Sequence, residues 1–198
     1  MHLNSNRYKL VLASTSPFRQ VLLDKLCLPF ETAAPDIDES CQFGEDPQAL
    51  VSRLAEAKAK AVKPEFPAHL IIGSDQVAVA DGKILGKPGN YEHAQAQLGS
   101  FSGQVVTFLT GLCLYDSQQD DAQVAVERFD VHFRSLTAQQ IHHYLIQETP
   151  YHCAGSFKSE GLGIALFDKL VGDDPNTLVG LPLIRLVQFL SNKGVSPI

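Results

Sequence analysis

Carboxylates, hydroxyls and cations at a few positions of this sequence have the spacing that chemistry on phosphorylated substrates needs. Ser14-Thr-Ser16-Pro17 stands ahead of a helical pattern. Its hydroxyls and unpaired backbone N–H groups suit an anion, and Arg19 adds a planar cation in the first turn. Asp75 directly follows the run Leu-Ile-Ile-Gly-Ser, which predicts a carboxylate emerging at a sheet end as a base or a metal ligand. Asp36, Asp38 and Glu39 form an acidic trio after Pro35 and, with Asp75, offer oxygen ligands of the kind Mg²⁺ or Mn²⁺ takes beside substrate phosphates. Taken singly, each group also has an ordinary reading: a helix cap with a surface arginine, or a solvated acidic loop.

Other chemistries fail on spacing. Gly86-Lys87-Pro88-Gly89 lacks the G-x-x-x-x-G-K-[ST] pattern, and no G-x-G-x-x-G occurs. His142 and His143 diverge on a helix and His152 adjoins Cys153, so neither pair has zinc spacing. No G-x-S-x-G marks a serine hydrolase. Cys27, Cys41, Cys113 and Cys153 contain no C-x-x-C and read as reduced thiols of a cytosolic protein.

The elements that must hold these groups follow from caps and periodicity. Tyr8–Ala13 is a short apolar strand, and Ser16-Pro17 starts a helix running to about Leu28, with Phe18, Val21, Leu22 and Leu26 at helical spacing and Pro29 as its stop. Asp46-Pro47 starts a second helix, with Leu50, Val51, Leu54, Ala57 and Ala61 inward and Arg53 and Lys60 facing water. His69–Ile72 and Gln76–Val79 read as strands framing a loop at Gly73-Ser74-Asp75. Asp81-Gly82 is a hairpin turn into Lys83–Leu85. Asn90 caps a helix through Leu98. Gln104–Tyr115 and Gln123–Arg134 form a long antiparallel hairpin, and Thr137 with Gln140 makes a capping box. A strand at Ile164–Leu170 and a helix over Asn176–Leu190 complete a mixed α/β (α+β) domain, with 1–198 as one domain.

Composition narrows the partners. With 16 Lys+Arg against 22 Asp+Glu, a net charge of -6 leaves no basic field for a duplex. The longest stretch without Asp, Glu, Lys or Arg, His93–Tyr115, holds three Gln, three Gly and two Ser, too polar for a membrane span. Arg7 and Lys9 precede only four consecutive apolar residues, too few for a signal-peptide core. The expectation is a cytoplasmic protein with no nucleic-acid or membrane partner, and a homodimer left open.

Taken together, Leu12-Ala-Ser14-Thr-Ser16-Pro17-x-Arg19, Pro35-x-x-Asp38-Glu39, Leu54-Ala-x-x-Lys58-Ala, Gly73-Ser-Asp75-Gln76, Gly86-Lys87-Pro88, Ala154-Gly-Ser-Phe-Lys158-Ser-Glu160-Gly and Asn176-Thr-Leu-Val-Gly180-Leu-Pro182 resemble, in order, the motifs of the Maf-type nucleoside triphosphate pyrophosphatases. The resemblance is strongest to the branch that hydrolyses 7-methyl-GTP. It implies cleavage between the α- and β-phosphates with a divalent metal cation, Mg²⁺ or Mn²⁺, and an ITPase-like (Maf/Ham1) fold: a curved mixed parallel/antiparallel sheet with flanking helices, in two lobes around a cleft. It implies that Asp75 accepts the proton from water, that Glu39 and Asp38 help hold the metal, and that Ser14, Arg19, Lys58 and Lys87 contact phosphates. Phe18, Gln76 and Glu160 then occupy the positions of substrate choice. Phe18 offers an aromatic face to the cationic methylated guanine, where the branch usually carries Trp. Glu160 accepts from the guanine edge, and Gln76 both gives and accepts there. Two alternatives stay open: the dTTP/UTP pyrophosphatases of the same family, and a nucleotide-binding regulator of cell division and septum formation.

Overall fold

The computed structural model describes residues 9–198; Arg7 and Tyr8, used above for the amino-terminal reading, lie outside the described residues. The elements are β1 (Lys9–Ala13), α1 (Pro17–Asp24), β2 (Phe30–Ala33), α2 (Pro47–Ala61), β3 (His69–Ala80), β4 (Lys83–Leu85) and α3 (Tyr91–Phe101). Then follow β5 (Val105–Asp116), β6 (Asp121–Phe133), α4 (Ala138–Glu148), β7 (Phe167–Val171), α5 (Asn176–Val179) and α6 (Leu183–Asn192), with 3₁₀ turns at Ala154–Ser156 and Leu162–Leu166. The strands form one mixed sheet in the order β2-β1-β3-β5-β6-β7, with β4 also paired to β3. β1 runs parallel to β2 and β3, while β3–β4 and β6–β7 are antiparallel. None of the described helices is long and apolar enough to cross a membrane.

Contacts divide the described residues into two compact units. The first takes the chain up to Asp75, Thr110–Glu127 and Gly180–Ile198; the second takes Gln76–Leu109 and Arg128–Val179. Within the first, Val11, Ala13, Ile71, Cys113 and Tyr115 of the sheet pack against Ala55, Ala59 and Val62 of the α2 segment. Within the second, Phe101, Phe108, Phe133, Phe157 and Phe167 form a chain of tilted and edge-to-face rings, as close as 4.8 Å between the Phe157 and Phe167 centroids. Phe157 thereby anchors the glycine-rich span that follows α4.

The caps form as their side chains dictate. Asp46 accepts from the Ala49 N–H at 2.8 Å, Asn90 from His93 at 2.9 Å, and Thr137 and Gln140 bond reciprocally. Asp81 and Gly82 both have positive φ, as a tight hairpin turn requires.

The structure corrects several expectations. α1 ends at Asp24, because the chain turns through Cys27 with φ 52°. It buries Leu22 and Leu23, while Phe18 is 38% exposed and Val21 faces water. Phe30–Ala33, unassigned from sequence, is the edge strand β2. β3 runs unbroken through Gly73-Ser74-Asp75, so those residues are mid-strand and not in a loop. Ile164–Leu166 belongs to a 3₁₀ turn before β7. The last helix is interrupted at Gly180, whose φ is 113°, and resumes after Pro182.

α2 presents a different face from the one its apolar spacing suggests: Ala55, Lys58 and Ala59 are buried with Leu50, Val51 and Leu54, and Ala57 and Ala61 are half-buried. The cause is close approach. A Cβ on Gly73 would lie 2.0 Å from the Ala55 carbonyl oxygen, and one on Gly111 would lie 2.1 Å from that of Val51. The α2 backbone therefore rests directly on two glycines of the sheet. Gly111→Ala is expected to destabilise the protein by about 3 kcal/mol through overpacking. Gly99→Ala, within α3 where an added Cβ meets nothing within 4 Å, is expected to stabilise it by about 0.5–1 kcal/mol. Urea denaturation midpoints of the two variants should therefore move in opposite directions.

Candidate active site

The polar groups singled out in the sequence lie in both units. In the first, Asp75 on β3 is only 8% exposed and Lys58 on α2 only 6%. The Lys58 Nζ donates to Asp75 Oδ1 at 2.6 Å and pairs with Glu39 Oε1 at 2.8 Å. Burying an ammonium is tolerable only with such partners, since its desolvation costs several kcal/mol. The pair also explains why Asp75 tolerates mid-strand burial.

Arg19, on α1, bonds both the Ser14 hydroxyl, just after β1, and a backbone carbonyl. Arg19 Nε donates to the Gly180 oxygen at 2.8 Å and its Nη1 to Ser14 Oγ at 3.4 Å. Ser14 Oγ also accepts from the Ser16 N–H at 3.1 Å, and Ser16 Oγ from the Arg19 N–H at 3.4 Å. Ser74 Oγ reaches the same Gly180 oxygen at 2.9 Å, and the Gly111 oxygen at 2.9 Å. Burial pushes the Arg19 guanidinium below its ordinary pKa, and the charges of Asp75 and Glu39 oppose that shift. Arginine remains cationic throughout, so a half-buried cation lies beside the Ser14 hydroxyl, an arrangement of the kind that can take an anion.

The acidic loop separates its members. Asp38 is exposed and accepts from the Ser40 N–H at 2.9 Å, which holds its pKa below the usual carboxylate value. Glu39 alone of the trio reaches Lys58. Arg53, expected to face water, instead tethers this loop. It grips Glu45 with two bonds of 2.6 and 2.8 Å, lowering that carboxyl to about 2, and donates to the Ser40 carbonyl at 3.0 Å.

The donor set permits a divalent metal. Oxygens of Asp75 and Glu39 converge on one cationic position, now filled by the Lys58 ammonium, and Mg²⁺ or Mn²⁺ commonly takes one or two carboxylates with the remaining ligands from water and phosphate. Among the described residues no group of three or more His, Cys, Asp or Glu side chains forms a metal site by itself. Asp38 is not brought to that position.

In the second unit, Gln76 opens the continuation of β3. Its amide nitrogen donates to the Thr177 and Leu178 carbonyls at 2.8 and 3.2 Å, so giving to a base would require those bonds to open. Lys87 is exposed on the loop between β4 and α3, and Glu160 is exposed with Ser159 Oγ donating to it at 3.3 Å. One residue that sequence reading passed over links the loops bearing these two. Gln97 of α3 donates to the Gly86 carbonyl at 2.9 Å and accepts from Ser156 Oγ at 2.5 Å. Its signal was its place: three residues after the buried Ala94 and four before the buried Phe101, this half-buried polar side chain borders the apolar stripe of α3.

Comparison with known proteins adds three findings. The family model of Maf-like proteins matches residues 9–193. A Colwellia psychrerythraea protein named 7-methyl-GTP pyrophosphatase is 61% identical over 186 residues, covering 94% of this chain and 93% of that protein. The Staphylococcus aureus Ham1 protein shares the fold, with a TM-score of 0.53 at 10% identity over 93% of this chain and 99% of its own.

Removing one partner of a buried ion pair strands the other. Lys58→Met is therefore expected to lower stability by about 3 kcal/mol. Lys58→Met combined with Asp75→Leu should recover most of that loss, because no buried charge of the pair is left and Glu39 is exposed to water. Denaturation of the two single variants and the double variant checks this, and additive losses would show the two side chains to be uncoupled.

Proposed function

The chain belongs to the Maf-like protein family, and from that membership we propose that it is a cytoplasmic nucleoside triphosphate pyrophosphatase that converts 7-methyl-GTP to 7-methyl-GMP and diphosphate. The 61% identity to a protein of that name supports the substrate. The observation that carries the chemistry is the buried Lys58 held between Asp75 and Glu39, in the unit that also holds Ser14 and Arg19.

In this reading water attacks the α-phosphorus. Its oxygen forms the new P–O bond as the bond from the α-phosphorus to the bridging oxygen breaks, and the electron pair leaves with diphosphate. Asp75 takes the proton from that water. Ser14, Arg19, Lys58 and Lys87 contact the phosphates, whose charge must be neutralised before an electron-rich oxygen can approach. A divalent ion held by Glu39, beside Asp75 and with Asp38 on the same loop, would supply further charge neutralisation and make bound water more acidic. Phe18 is read as the stacking face for the cationic methylated ring, worth about 0.5–2 kcal/mol, and its exposure on α1 is what such a role requires. Glu160 accepts from the N1–H and amino group of the guanine edge, which a pyrimidine cannot reproduce. The activity fits the removal of modified nucleotides before they enter nucleic acid.

The test is a product analysis with Mg²⁺ or Mn²⁺ against 7-methyl-GTP, GTP, UTP, dTTP and ITP, scoring diphosphate separately from orthophosphate. Diphosphate from 7-methyl-GTP in preference to the others is expected; faster UTP or dTTP turnover would overturn the base assignment. Asp75→Asn should lower turnover by about 10²–10⁴-fold while nucleotide binding, read by calorimetry, persists. Nucleotide binding without turnover in the wild type would favour the regulator.

A further inference from the structure

Glu148, the last residue of α4, is half-buried, four residues after the buried Tyr144 and three after the buried Leu145. Its carboxylate is directed at the turn that carries Glu160. Oε1 accepts from the Leu162 N–H at 2.6 Å, and Oε2 lies 3.6 Å from the Lys158 ammonium. The Glu148 backbone carbonyl accepts from the same ammonium at 2.7 Å. Both ends of the segment Lys158–Leu162 are thus held by one residue.

The turn is closed on itself as well. A Cβ on Gly163 would lie 2.2 Å from the Lys158 carbonyl oxygen, so the two backbones touch. A Cβ on Gly161 would lie 2.6 Å from Glu148 Oε1, so the carboxylate packs directly on the turn's backbone. Tyr144, one helical turn before Glu148, accepts from the Lys158 N–H at 3.0 Å. Burial above all pushes its phenol pKa up, which keeps that oxygen neutral. Glu160 is left at the exposed tip of a segment fixed at its base.

We propose that Glu148 is the positioning residue for base selection, holding the Lys158–Leu162 turn so that Glu160 meets the guanine edge in one orientation. The inference rests on the reading of Glu160 as the base-selecting carboxylate. A side chain that aims a specificity group, and touches neither phosphate nor water, should alter discrimination between bases and leave hydrolysis itself intact.

The experiment compares kcat and KM for 7-methyl-GTP and for UTP in wild type, Glu148→Ala and Glu148→Gln, each shown to be folded by its thermal transition. Glu148→Ala is expected to reduce the 7-methyl-GTP:UTP ratio of kcat/KM about 10-fold, as the loss of one charged hydrogen bond allows. The fall should come through a raised KM for 7-methyl-GTP, with UTP turnover unchanged. Glu148→Gln, whose amide oxygen can still accept from Leu162, should keep most of the ratio. An unchanged ratio in folded Glu148→Ala, or an equal loss on both nucleotides, would overturn the proposal. If Glu148→Ala does not fold, Gly161→Ala reads the same contact from the other side and is expected to cost the same discrimination. Where both fold, the double variant should be no worse than Glu148→Ala, and an additive loss would overturn the proposal. A wild type that prefers a base other than 7-methylguanine would instead refute the substrate reading, and the Glu148 variants are then scored on the base it does prefer.

Discussion

An ammonium group buried beneath a sheet must find its counter-charges within the protein, and that requirement at Lys58 governs much of the first unit. Asp75 can answer it only from the face of β3 that meets α2, and only if the helix lies close enough for a 2.6 Å contact. Closeness in turn demands Gly73 and Gly111 beneath the α2 backbone and alanine at 55 and 59 along its seam. The Asp46 cap fixes where the helix begins and hence which side chains fall on that seam. The packing of helix on sheet and the charge of the candidate site are therefore one constraint. Enlarging a glycine would separate the ion pair as well as crowd the core.

The second organising group is a carbonyl. In an uninterrupted helix the Gly180 oxygen would be consumed by the helix's own ladder. The break between α5 and α6, with Gly180 in a left-handed conformation that favours glycine, releases it to accept from Arg19 and Ser74. Arg19 is thus oriented by a neutral acceptor while its charge stays uncompensated by direct ion pairing among the bonds that fix it. A cation held in this way is suited to an incoming anion, which it would lose if a carboxylate had taken the same place.

Local chemistry was legible in the sequence wherever a few neighbouring residues decide it. The caps at Ser16, Asp46, Asn90 and Thr137, and the Asp81-Gly82 turn, need no distant partner, and each forms where it was read. The failures occur where a distant contact outweighs local preference. Glycine and aspartate are poor strand formers, so Gly73-Ser74-Asp75 read as a loop; helix approach requires the glycine and Lys58 sustains the aspartate. The α2 face was misread because alanines at 55, 57, 59 and 61 look alike to periodicity, and Arg53, assigned to water by its type, is drawn to Glu45 instead. β2 is four residues long and buries none of them fully, so it has no apolar alternation to display. The candidate site residues lie in contiguous motifs that can be read along the chain, whereas Gln97 and Glu148 stand outside them and are marked only by their bonds to other segments.

Lys58, Gln97 and Glu148 share one property. Each is a polar side chain on or beside the buried stripe of its helix, Lys58 buried and Gln97 and Glu148 half-buried. An inward polar group destabilises a fold unless every donor and acceptor it brings is met. Each of these is met by a strand or loop bearing a candidate site residue: Asp75 for Lys58, the Gly86 and Ser156 segments for Gln97, and the Lys158–Leu162 turn for Glu148. Such a group gains most of its worth from a single geometry, because hydrogen bonds decay steeply with misalignment. Apolar contacts at the same positions would tolerate sliding. Polar residues on or beside buried stripes therefore convert the rigidity of helices into fixed positions for the segments they bond, which is what candidate site residues carried on strands and loops require.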